Sequence, residues 1–86
     1  MFRKYYVKEL DSTTKDYIQT MHTVYNPIFI DLKKVVAFKP ERDNSVNKSI
    51  ITFTLGESGK NKTIDVYFNS KEEVENEISY LIKHCK

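Results

Sequence analysis

The residues that most constrain the fold lie at the end of the chain, where Lys62 leads into TIDVYFNS and then KEEVENEISYLIKHCK. Ile64, Val66 and Phe68 alternate with Thr63, Asp65 and Tyr67, a period of two that sets the apolar three on one face of a strand. Ser70 and Glu73 then form an S-x-x-E capping box, in which a hydroxyl and a carboxylate satisfy backbone N–H groups that a first helical turn leaves without partners. The spacing predicts a helix over 71–86. Along it Val74, Ile78, Leu81, Ile82 and Cys85 fall within about 100° of one another, with Glu72, Glu75 and Asn76 off that stripe. Glu72 and Glu73 at the start and Lys83, His84 and Lys86 at the end also suit the helix dipole. Each buried apolar side chain contributes roughly 1.5 to 3 kcal/mol, while ordering the backbone costs about 1 to 2 kcal/mol per residue. Such a helix persists only when docked, and the rest of the chain reads as the β-structure whose face it covers.

SIITFTL places Ile51, Phe53 and Leu55 on one face against Thr52 and Thr54, and GESGKN joins it to the TIDVYF strand as a hairpin with a glycine-containing loop. FRKYYVKEL, residues 2–10, is also strand-like. Its Phe2, Lys4, Tyr6, Lys8 and Leu10 share one side and Arg3, Tyr5, Val7 and Glu9 the other, a mixed pattern that suits an edge strand. Asp11, Ser12, Thr13 and Thr14 are turn formers. DYIQTMHTVY after them carries a helical stripe, Tyr17, Met21 and Val24, together with the Thr, Ile, Val and Tyr content of a strand. The strand is the preferred reading, so the first two segments form a hairpin. Asn26-Pro27 signals a turn and a new element. Ile28, Ile30 and Leu32, then Lys33-Lys34, then Val36 and Phe38 read as a short strand, a tight bend and a second strand ending at Pro40. PERDNSVNK, residues 40–48, has one apolar residue and reads as a mobile surface loop. The expected architecture is α+β: an antiparallel, strongly curved sheet of about five strands, as in a partly open barrel, packed by one C-terminal helix. With no internal repeat, linker or low-complexity tract, residues 1–86 are expected to form a single domain.

Composition narrows the function classes. Eighty-six residues allow one small core. Aromatics at 13%, with only two glycines and two prolines, exclude a disordered segment. Fourteen basic against twelve acidic residues give a net charge of +2. The isoelectric point near 8.6 lies below the value of about 9 that marks a strongly nucleic-acid-binding domain. One cysteine cannot form an internal disulfide, and there is neither a membrane-length apolar run nor the charged-then-apolar start of a secretory signal, so a cytoplasmic location is expected. Richness in Lys, Asn, Ile and Tyr is what AT-rich coding sequence tends to give, which points to a bacterial or phage origin.

The motifs that carry chemistry elsewhere are incomplete here. GESGK, residues 56–60, resembles the end of a phosphate-binding loop, but the full pattern needs glycine where Thr54 stands and a hydroxyl where Asn61 stands, so it reads as a hairpin loop. Asn47-Lys48-Ser49 and Asn61-Lys62-Thr63 fit the glycosylation pattern and, without a secretory signal, read as polar loop sequence. His22, His84 and Cys85 fall short of the paired ligands of a structural zinc site, and neither a metal nor a cofactor is expected. Glu73, Glu77, Tyr80 and His84 follow one helix flank at spacings of three and four, the nearest approach to an acid/base set, and read as a solvated flank whose members support one another. No catalytic residue is assigned.

The expected function is that of a non-catalytic binding or adaptor domain acting through protein–protein interaction, with a partner protein or a second copy of the chain. Tyrosine mixed with arginine is typical of interface centres, and an exposed strand offers its edge to a partner. The alternative is a single-stranded nucleic-acid-binding module in which tyrosines stack bases beside a cationic groove. Arg3, Lys4, Tyr5 and Lys8 come from one strand, and Lys33, Lys34, Lys39 and Arg42 complete the candidate binding surface. Against the alternative, the consecutive Tyr5 and Tyr6 cannot both face outward from a strand, and acidic residues interrupt most basic runs. No membrane contact is expected.

Overall fold

The computed structural model describes residues 1–57 and 59–84. Five strands and one helix follow in the order β1 (Phe2–Lys15), β2 (Ile18–Asp31), a 3-10 turn (Leu32–Lys34), β3 (Val35–Asp43), β4 (Lys48–Glu57), β5 (Lys60–Phe68) and α1 (Lys71–His84). The fold is α+β and every strand pairing is antiparallel. β1 and β2 make a two-stranded ribbon, β3, β4 and β5 make a three-stranded sheet in that order, and the sheets do not close into a barrel.

The alternation along β4 decides where the core lies. Ile51, Phe53 and Leu55 are buried on one face and are joined there by Val66 of β5. Tyr5, Ile30 and Leu32 from the base of the ribbon cover part of that face, and Val74 and Leu81 of α1 cover more of it. Tyr5 carries the ribbon into the core, its ring 5.1 Å from that of Phe53 and 6.3 Å from that of Phe68. Among the described residues β1 has a hydrogen-bonded neighbour strand only in β2, as an edge strand should, although its other side lies against β5.

The helix starts where its capping box places it. Ser70 Oγ accepts a hydrogen bond from the Glu73 backbone N–H at 3.2 Å, and the Glu73 carboxylate accepts from the Asn69 N–H at 2.8 Å, one residue before the cap. Ser70→Ala should therefore lower stability by about 1 kcal/mol, read as a shift in the denaturant midpoint at unchanged slope. The buried stripe departs from the purely apolar one. Val74 and Leu81 are buried and Ile78 packs on the core, but Ile82 is 62% exposed while Glu77 is only 8% exposed. The helix is thus rotated by roughly 50° toward Glu77 relative to the stripe drawn through apolar residues alone. Cys85 and Lys86 lie outside the described residues.

Three expectations about the connections are corrected. Asp11–Thr14 is not a turn: β1 continues to Lys15, and the reversal occurs at Asp16 and Tyr17, which have φ of 52° and 67°. Two positive φ values are what the tight two-residue hairpin turn that matches strand twist requires, and threonines extend a strand readily once that turn is set. Asn26-Pro27 begins no new element, because β2 runs through it with Pro27 opposite Tyr6. β2 pairs on one side only, so the proline nitrogen without a hydrogen can face the free edge. Residues 40–48 are not a mobile loop. β3 continues past Pro40 to Asp43, opposite β4, and leaves a four-residue turn in which the Asp43 carboxylate accepts hydrogen bonds from the Ser45 N–H and hydroxyl. The bend at Lys33-Lys34 is present as the 3-10 turn, with the Asp31 carboxylate accepting from the Lys33 N–H.

The ribbon is longer than the body it serves. Its strands have fourteen residues each, against a usual five or six, and every residue from Glu9 to Thr23 is exposed. The radius of gyration is 15.1 Å, whereas a compact chain of this length gives about 12 Å. The outer half of the hairpin is therefore an arm that projects roughly 20 Å from the core. None of the described helices is long and apolar enough to cross a membrane.

Candidate functional site

A groove of about 720 Å3 runs between the first residues of β1 and one flank of α1. The helical wall consists of Glu73, Asn76, Glu77 and Tyr80, whose spacings of three and four put them on one side of the helix. The strand wall is Arg3, Lys4 and Tyr6, and Tyr25, Lys48 and Tyr67 line the remainder.

The two walls are tied together by one buried carboxylate. Arg3 donates to Glu77 through Nε at 2.6 Å and through a terminal nitrogen at 2.9 Å, and the Tyr5 hydroxyl donates to the same carboxylate at 2.6 Å. The Arg3 guanidinium also lies 3.7 Å from the centroid of the Tyr80 ring, and Tyr80 in turn lies 4.2 Å from the His84 ring. Burial pushes the Glu77 carboxyl up, but the hydrogen bonds from Arg3 and Tyr5 and the Arg3 charge outweigh it and hold the group below its usual value near 4.5. Burial, and then the bond to Glu77, push the Tyr5 phenol far above its ordinary range. Glu77 is thus a tie held in its ionised form near neutral pH by three donors directed at it, which makes it a poor proton acceptor. The solvated flank expected at Glu73, Glu77, Tyr80 and His84 is corrected at Glu77, because a sequence shows neither Arg3 nor Tyr5 arriving from the far end of the chain.

A second cluster holds the base of the arm to the sheet. Asp43 accepts hydrogen bonds from Lys8 and from the Tyr67 hydroxyl, both at 2.6 Å. Lys8, then Ser45 and Tyr67, hold the Asp43 carboxyl well below the usual carboxylate range. The Tyr67 ring lies 5.5 Å from that of Tyr25 at an inclination of 52°, and the Lys48 ammonium lies 5.1 Å from the Tyr25 ring.

Comparison with protein-family models, curated proteins and solved structures finds no match for this chain. Function therefore has to be read from the geometry.

The eight residues of the candidate surface are not brought together. Arg3, Lys4 and Tyr5 border the groove, but Tyr5 is 3% exposed and its ring belongs to the core, while Arg3 is engaged by Glu77. Lys8 is engaged by Asp43. Lys33 and Lys34 are exposed on the 3-10 turn, away from the groove lining. Lys39 and Arg42 lie on β3, the sheet edge farthest from β5, where Lys39 pairs with Glu41 and Arg42 bonds Asn47. Sequence reasoning missed Tyr25, Lys48, Tyr67 and Tyr80 as groove residues. The signal for Tyr80 was its place three residues after Glu77. For the others there was none, since three separate strands deliver them.

Proposed function

We propose that this chain is a non-catalytic cytoplasmic binding domain that acts through protein–protein contact, and that the β1–β2 arm is its docking element. The observation that carries this reading is the run of exposed residues from Glu9 to Thr23, a two-stranded ribbon with water on both faces. A lone two-stranded ribbon is marginal in water, and a covering partner would relieve it. Leu10, Ile18 and Met21 expose apolar side chains along it, and Tyr17 is fully exposed at the tip. Tyr17 also holds a positive φ, a conformation that costs an aromatic residue roughly 1 kcal/mol or more and that persists mainly where it serves a purpose. The fifteen residues of the arm are fewer than the about 20 to 30 per side of a standard interface, so the contact should be of modest, micromolar strength.

The double substitution Tyr17→Asp, Ile18→Asp checks this. Stability should stay within about 0.5 kcal/mol, because neither side chain is buried. Self-association in sedimentation, or cross-linking to a partner from a photoreactive group at the exposed position 19, should be lost. A strictly monomeric parent chain whose arm tip cross-links to no protein in a native lysate overturns the reading.

A further inference from the structure

The groove has a chemistry of its own, separate from the arm. Its two acids are committed: Glu77 to Arg3 and Tyr5, and Glu73 to the Asn69 N–H at the helix cap. Two of its cations are not matched to a carboxylate among the described residues. Lys4 lies 5.4 Å from the Tyr6 ring, and Lys48 lies 5.1 Å from the Tyr25 ring and donates to the Asn69 side-chain oxygen at 3.2 Å. Around them Tyr6, Tyr25, Tyr67 and Tyr80 supply phenol rings, and Asn69 and Asn76 supply side-chain amides. A volume of about 720 Å3 lies within the roughly 300 to 1,000 Å3 range of small-ligand sites.

These features select a ligand. An amine would meet one carboxylate, Glu77, already occupied by Arg3 and Tyr5, and a second, Glu73, that is shared with the helix cap. An acidic peptide would satisfy the lysines but would leave the flat rings and the amides without a counterpart. A group that joins a planar heterocycle to a phosphate uses all three features: stacking on tyrosine, hydrogen bonding of a base edge to the amides, and phosphate on lysine. We propose that the groove binds a nucleotide unit, its base stacked among Tyr6, Tyr25 and Tyr67 and its phosphate held by Lys4 and Lys48. A free mononucleotide and one residue of a single strand share that chemistry.

Titration calorimetry of the full chain with uridine monophosphate and with a short oligouridylate distinguishes the two sources. Binding of both at similar affinity assigns the site to free nucleotides, and binding of the oligomer alone assigns it to a strand. With two lysine–phosphate contacts, affinity for the oligomer should fall about sevenfold between 50 and 200 mM salt. Lys4→Gln, Lys48→Gln should remove most of that salt dependence without changing the thermal midpoint, since both side chains lie outside the core. Tyr25→Ala should weaken binding about tenfold through lost stacking. Lys39→Gln, on the far sheet edge, should change nothing. Absence of binding by either ligand at 50 mM salt overturns the proposal, as does an unaltered affinity in the Lys4, Lys48 variant. An oligoglutamate that binds as tightly as the oligouridylate also overturns it, by showing that charge alone is recognised. The arm variant should bind nucleotide normally, so failure here and failure of the protein-contact reading are separately visible.

Discussion

Phe53→Ala should lower the stability of this domain by about 3 to 5 kcal/mol, the largest loss expected from a single side chain. Phe53 is fully buried at the centre of β4, with the rings of Tyr5 and Phe38 5.1 and 6.3 Å away. Truncation removes the transfer energy of the ring and leaves a cavity that three layers, ribbon, sheet and helix, would have to collapse to fill. A domain of 86 residues has a total stability of about 4 to 13 kcal/mol. The variant should therefore melt about 12 °C or more below the parent, and at the lower end of that range it should not fold. A thermal midpoint within a few degrees of the parent would mean that the layers do not meet at Phe53.

Glu77→Ala should cost about 2 to 3 kcal/mol. Removing one member of a buried ion pair usually costs about 3 to 5 kcal/mol because the other charge is left without a partner. Here the Arg3 side chain retains 34% of its exposure and can regain water, which reduces the loss. The Tyr5 hydroxyl has no such recourse, so most of the cost comes from it. Glu77→Gln preserves the shape and one acceptor and should cost distinctly less. The pair also predicts a pH dependence. The folded carboxyl lies below its usual value near 4.5, so its contribution to stability is complete above that pH and is lost as pH falls through the lower folded value. The Gln variant should therefore show a shallower loss of stability on acidification than the parent, measured by denaturant midpoints from pH 6 downward. The slope should not vanish, because Asp43, held low by Lys8, Ser45 and Tyr67, contributes loss of the same sign. Identical acid slopes in parent and variant would show that Arg3 and Tyr5 do not hold Glu77 in its ionised form.

Phe53 and Glu77 differ in how far the sequence reveals them. Phe53 follows from alternation within seven residues, and burial of Ile51, Phe53 and Leu55 together is what that period requires when one face of a sheet is covered. Glu77 looks like one of four polar groups on a helix flank until Arg3 is brought to it from 74 positions away. The connections depart from local turn preference for a related reason. Turn-forming composition at Asp11–Thr14, Asn26-Pro27 and Pro40–Lys48 expresses a weak local preference. In each place a ladder of cross-strand hydrogen bonds runs through part or all of the segment, and the preference gives way to the register.

The sequence by itself determined the α+β class, the inner face of β4 and β5, and the start of the helix at Lys71. These depend on periodicity and capping, which act over a few residues and are complete in the local chain. The tertiary structure alone decided the rotation of the helix toward Glu77, the burial of Tyr5, the length of the free arm and the meeting of Tyr6, Tyr25, Tyr67 and Tyr80 around Lys4 and Lys48. Each of these rests on contacts between segments far apart in the chain, where a charge or a ring acquires its role only from the partner that folding sets opposite it.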